Sequence, residues 1–130
     1  MVDDTMVVYG EDPGVAVVIL SGEQEAYGAE KLERQLAWFL AEEVAVVVDL
    51  SRTTFVDSAV LLALMHARKA AEEHGLGFVL QMDESTGWYV RRTFEITRLT
   101  SVFPTFMTRA AAVEAARAGG STPSLGAEPT

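Results

Sequence analysis

Apolar and polar positions fall in blocks along the chain, and the period of each block predicts an element. Residues 6–9 and 15–20 are short, β-branched runs separated by Glu11, Asp12, Pro13 and Gly14, which predicts two antiparallel strands joined by a turn. Leu32, Leu36, Phe39 and Leu40 then recur at helical spacing among acids and bases, predicting an amphipathic helix over residues 26–41. Residues 44–50 are apolar throughout until Asp49, as expected of a central strand covered on both faces. A second helix is expected from Asp57 or Ser58, with Leu61, Leu64, Met65 and Arg68 marking one face and Gly75 as a left-handed stop. Residues 77–82 read as a strand. Ser85 or Thr86 is the expected cap of a third helix that turns Val90 and Phe94 inward, residues 102–106 are a short strand, and Thr108 opens an alanine-rich last helix ending at Gly119 and Gly120.

Strands alternating with helices imply right-handed crossovers. The expected fold is therefore α/β: a mixed, mostly parallel sheet of about five strands with an antiparallel edge strand and four helices. Residues 1–118 would form one domain, large enough to bury roughly two-thirds of its unfolded surface. Residues 119–130, rich in Gly, Ser, Pro and Thr, read as a disordered tail. No internal repeat is visible.

Composition narrows the function classes. Nineteen acids against ten Lys and Arg give a net charge of −9, and residues 1–50 hold eleven acids against only Lys31 and Arg34. Such a chain is poorly suited to a polyanion, whose affinity comes from phosphate neutralisation, so no nucleic-acid partner is expected and a basic protein surface is favoured. The apolar runs are too short to cross a bilayer, no signal-peptide pattern opens the chain, and there is no cysteine. A cytoplasmic location, without disulfides or thiolate metal sites, is the expectation.

The chemistry-bearing residues concentrate in the stretch VVVDLSRTTFVDSAVLLAL, residues 46–64, at the carboxyl end of the predicted central strand. Ligands and partners on such sheets meet the strand ends. Asp49 as a phosphoaspartate is disfavoured, because such a site needs a lysine after the last strand and Lys31 and Lys69 both lie in predicted helices. Asp49 and Asp57 as an acid/base pair lack any accompanying substrate-binding constellation. His66 and His74 stand about two turns apart with no third ligand, so no metal or other cofactor is expected. Gly75-Leu76-Gly77 is a helix stop followed by a strand start rather than a phosphate loop. Ser58 differs: a hydroxyl on the first turn of a helix can cap it, and it can also carry a phosphoryl group of about −1.5 to −2 charges that the helix N-terminus tolerates and a docked acidic surface does not.

DLSRTTFVDSAVLLAL, residues 49–64, resembles the signature of the STAS family, the anti-sigma factor antagonist domains. SGEQEAYGAEKL (residues 21–32) is similar to that family's Gly-Glu-Leu-Asp segment, and VRRTFEITRLTSVFPTF (residues 90–106) to its Val-Arg-Arg stretch. The resemblance implies a bacterial, non-enzymatic binding module that regulates transcription by engaging an anti-sigma factor which is also a serine-protein kinase. Phosphorylation by that kinase would end the contact. By position, Glu25, Asp49, Ser51, Asp57, Ser58, Ala59, Val60 and Leu62 are the expected partner-binding residues; Ala59 occupies the usual acceptor position, which leaves either a constitutively active antagonist or one with Ser58 as the candidate phosphoacceptor. Val60 and Leu62 replace family glycines with apolar bulk, and Arg98 replaces a helix-ending glycine. Asp-Ser-Ala also fits an alternative, a STAS subunit of a sensory or lipid-transport complex. Oligomeric state is left open.

Overall fold

The computed structural model describes residues 12–119 together with the backbone of residues 5–8. In chain order the elements are β1 (Thr5–Val8), β2 (Val15–Gln24), α1 (Ala26–Ala41), β3 (Ala45–Val56), α2 (Ser58–His74), β4 (Phe78–Gln81), α3 (Trp88–Ile96), a short 3₁₀ turn (Leu99–Ser101), β5 (Thr105–Phe106) and α4 (Arg109–Arg117). Strands β2 to β5 run parallel in that spatial order, and β1 lies beyond β2 with Thr5 opposite Leu20 in an antiparallel register. Tyr9 and Glu11, assigned above to the first strand and its turn, lie outside the described residues, as does the expected tail from residue 120 onward.

Both faces of β3 are covered, because its side chains alternate between two cores. Val46, Val48 and Leu50 join Leu36, Phe39, Leu64, Phe78 and Phe94 beneath α1, α2 and α3. Ala45 and Val47 face the other way, with Val17, Val79, Ala112 and Ala116 under α4. Three helices on one face and one on the other account for the continuous apolar run in the sequence. Helix α4 packs closely: a Cβ on Gly77 would lie 2.8 Å from Ala116 Cα and closer still to its carbonyl oxygen. Gly77 thus serves backbone approach, while Gly75 ends α2 in the left-handed region at φ 69.

Several boundaries differ from the expectations. Strand β3 does not stop at Leu50 but continues to Val56, because residues 52–56 pair with the end of β2 (Ser21 with Arg52, Gly22 with Thr53, Gln24 with Val56) and the buried Thr53 hydroxyl donates to the Leu20 carbonyl at 2.7 Å. The buried face of α2 is Val60, Ala63, Leu64, Ala67 and Ala71, so small alanines and not Met65 and Arg68 set the packed side. Helix α3 is capped by Gly87. Ser85 and Thr86 instead close a turn on Asp83, whose Oδ1 accepts from the Ser85 N–H at 2.8 Å while its own N–H donates to Thr86 Oγ1 at 3.0 Å. Of residues 102–106 only Thr105 and Phe106 are strand; Phe103 instead buries its ring beside Phe78 and Phe94.

Candidate functional site

Helices α1 and α2 both start at the carboxyl end of the strand before them, which brings their N-termini side by side. Asp57 joins them. Its Oδ1 accepts from the Val60 N–H at 3.1 Å, capping α2, and its Oδ2 accepts from the Ala26 N–H at 2.7 Å, the first residue of α1. Glu25, in the capping position of α1, makes no side-chain cap bond and is exposed. One carboxylate therefore satisfies orphan donors on two helices, with both positive dipole ends facing it. The Asp57 N–H also donates to the Gln24 carbonyl at 3.2 Å.

Ser58 opens α2 on the outside of this junction. It is exposed, and its hydroxyl makes no hydrogen bond to any described residue. Beside it runs an open groove of about 440 Å³ lined by Ser58, Ala59, Leu61, Leu62, Met65 and, from across the gap, Thr97 and Leu99. Leu62 is 51% exposed on its wall. Val60 is turned inward and is 1% exposed, so of the two apolar replacements only Leu62 is presented to solvent.

Asp49 stands apart from this surface. It is 3% exposed on the α4 side of the sheet, where Oδ1 accepts from the Ser51 N–H at 2.8 Å and Oδ2 faces the Arg109 guanidinium at 3.4 Å. Gln81, its neighbour in register, has a buried Oε1 with no partner among the described residues. Ser51 is half-buried and its carbonyl accepts from Ser85 Oγ at 3.0 Å. The eight residues singled out in sequence thus divide: Glu25, Asp57, Ser58, Ala59 and Leu62 share one end of the molecule, Ser51 lies at the β3–Ser85 seam, and Asp49 and Val60 are interior.

The histidines have local partners, His66 Nδ1 with Glu33 at 3.0 Å and His74 Nδ1 with the Ala70 carbonyl at 2.8 Å. Among the described residues no group of three metal-ligating side chains occurs and no helix is long and apolar enough to cross a membrane. Sequence reasoning did not anticipate the Ala26 link, nor Thr97 and Leu99 in the groove. These come from segments more than thirty residues away, and no local pattern announces them.

The profile of the STAS domain matches residues 7–112. The chain belongs to the STAS domain family. A solved anti-sigma factor antagonist from Mycobacterium paratuberculosis is 31% identical over 87% of this chain and 92% of its own, with a TM-score of 0.72. The Bacillus cell fate determinant SpoIIAA in its phosphorylated form shares the fold at 15% identity, covering 85% of this chain and 96% of its own, TM-score 0.65. A sulfate transporter family protein from Wolinella succinogenes does so at 17% identity, 84% and 89% coverage, TM-score 0.65. In this STAS domain Arg98 holds φ 62, so an arginine occupies the left-handed turn that glycine takes readily.

Proposed function

We propose that this STAS domain is an anti-sigma factor antagonist that docks an anti-sigma factor, itself a serine-protein kinase, on the end of the molecule formed by the N-termini of α1 and α2. The observation that carries this is the unbonded, exposed Ser58 hydroxyl set at the lip of an apolar groove with Leu62 exposed on its wall. Apolar side chains within a polar rim are what a transient interface needs, and Glu25 and Asp57 supply the rim. Val60 packs the start of α2 beneath this surface, and Asp49 stands apart from it, holding α4 through Arg109. The 31% identity to the mycobacterial antagonist supports the reading further.

Ala59 removes the usual acceptor, so phosphoryl transfer is directed to Ser58. Added there, a dianion would stand beside Asp57 and at the groove mouth, repelling acidic partner groups while the α2 dipole keeps the fold intact. The test mixes the protein with a candidate anti-sigma kinase, with and without ATP, and follows complex formation by calorimetry and phosphorylation by mass spectrometry. Expected are a complex without ATP, a loss of about tenfold or more in affinity for Leu62→Asp, and phosphate only on Ser58. Phosphate on a residue remote from this surface, or a complex indifferent to Leu62→Asp, overturns the proposal. Co-purification with transporter subunits instead of an ATPase would favour the subunit alternative.

A further inference from the structure

Arg98 stands where the fold by itself has no use for an arginine. Helix α3 ends on it: its N–H donates to the Glu95 carbonyl at 3.1 Å, its backbone holds φ 62, and its carbonyl accepts from the Ser101 hydroxyl at 2.7 Å. Such a left-handed turn suits glycine and strains a residue with a Cβ. The side chain makes no ion pair that would offset the strain. Arg98 is exposed, and no carboxylate among the described residues lies within 4.0 Å of its guanidinium, whereas Arg34, Arg68, Arg109 and Arg117 each have one there. A backbone outlier that the folded chain does not reward points to a role in another state of the protein.

The position of Arg98 says which state. Its two neighbours, Thr97 and Leu99, line the groove from across the gap, and Ser58 opens the near side of the same groove. The arginine therefore leaves the chain at the lip opposite the Ser58 hydroxyl, which bonds no described residue. The groups between them are occupied or apolar: the Thr97 hydroxyl is turned back to the Thr93 carbonyl at 2.7 Å, and Leu62 and Met65 offer no charge. The acids of this end are Glu25, Asp57 and, on α3, Glu95; Asp57 is held by the Ala26 and Val60 N–H groups. An unmodified serine gives the guanidinium nothing to pair with, but a phosphoserine gives it a dianion with several acceptor oxygens.

We infer that Arg98 is an intramolecular clamp for phosphorylated Ser58. The inference rests on the reading of Ser58 as the phosphoacceptor and adds what the phosphate does next. Once the γ-phosphoryl group of ATP has passed to Ser58 Oγ, with ADP and the hydroxyl proton leaving, the guanidinium crosses the groove and pairs the phosphate oxygens with its planar fork. The bridge closes the groove mouth over Leu62, so the partner is excluded by a covered surface as well as by repulsion. Glycine at this turn would relax the backbone and have no side chain to cross with.

The test places phosphoserine at position 58 of the full chain during translation, so that no kinase is needed, and follows the phosphate by phosphorus NMR as pH is varied. The second ionisation of the phosphate is expected about 0.5 pH or more lower in the parent than in Arg98→Gln, with Arg98→Lys between them. Arg117→Gln removes the same charge from α4, on the opposite face of the sheet, and should leave the ionisation as in the parent. The phosphoserine chain carrying Arg98→Gln should also bind a candidate anti-sigma factor about tenfold more tightly than the phosphoserine parent. Equal ionisation in the parent and Arg98→Gln, an equal response to Arg117→Gln, or equal weakening of the complex in both phosphoserine chains overturns the clamp. Kinase-made phosphate on a residue other than Ser58 overturns the phosphoacceptor reading instead, and the phosphorus titration still decides whether the clamp forms.

Discussion

Asp57 is placed to serve two helices at once, and its substitution should separate structural from functional roles at this corner. Removing a capping side chain costs about 0.5–2 kcal/mol per helix end, so Asp57→Ala, which orphans both the Val60 and the Ala26 N–H, should lose about 2 kcal/mol or more. Asp57→Asn keeps one carbonyl oxygen and should lose about half of that. Ser58→Ala removes a hydroxyl with no hydrogen-bond partner among the described residues and should stay within about 0.5 kcal/mol of the parent. Urea unfolding of the three variants reads these differences directly, and equal costs for Asp57→Ala and Ser58→Ala would contradict the shared cap. A cap on α2 at Asp57 or Ser58 was legible in sequence, because a capping residue before an apolar run is a local signal, and the structure gives it to Asp57. Its second bond was not, because Ala26 lies thirty-one residues away and only the pairing of β2 with β3 brings the two helix starts together. Asp49 illustrates the converse: strand alternation sets which face an acid occupies, but that α4 covers this face and supplies Arg109 is a tertiary fact.

Elements differ in how plainly they were announced, and the differences have physical causes. Helix α1 follows its apolar period because long side chains do its packing, whereas α2 packs through Ala63, Ala67 and Ala71, whose small side chains are a weak signal beside Leu61 and Met65. The carboxyl half of β3 holds Ser51, Arg52, Thr53 and Thr54, a polar run that resembles a loop until Thr53 is seen to be buried and bonded to Leu20. After α3, the chain turns on Arg98 at φ 62, where an L-residue pays about 1–2 kcal/mol relative to the right-handed region. Arg98→Gly should therefore raise the thermal midpoint by a few degrees, since about 1 kcal/mol shifts a chain of this size by roughly 2–8 °C. Before α3, the Ser85 hydroxyl and N–H hold the Asp83 carboxyl below its ordinary value near 3.8. A depressed carboxyl stabilises the fold above that ordinary value and loses its contribution as pH falls through the folded one. Ser85→Ala should accordingly be less stable than the parent at neutral pH, by a small margin because the bonds are exposed, and the gap should narrow in acid to what the pH-independent bond from Ser85 Oγ to the Ser51 carbonyl contributes. Chemical unfolding of both proteins at matched pH values measures this, and a gap that widens as pH falls would have the wrong sign.

At the scale of the whole molecule, the charge is uneven: eleven of nineteen acids lie in the first fifty residues against two bases, while the remaining eighty residues hold eight acids and eight bases. A net −9 acts against compactness through self-repulsion. The ion pairs that could offset it are mostly exposed, such as Arg34 with Glu30 at 3.9 Å and Arg117 with Glu114, and pairs of that kind are worth little. The Asp49–Arg109 pair is half shielded and is screened less. Raising ionic strength from about 0.01 M to about 0.15 M shortens the Debye length from about 30 Å to about 8 Å, which quenches repulsion between distant acids more than attraction between partners in contact. Added sodium chloride should therefore move the urea midpoint upward by an amount on the order of 1 kcal/mol in stability, with the slope of the transition unchanged. A urea midpoint that falls with salt would mean that ion pairs, and not the two apolar cores on either side of β3, hold the sheet and its four helices together.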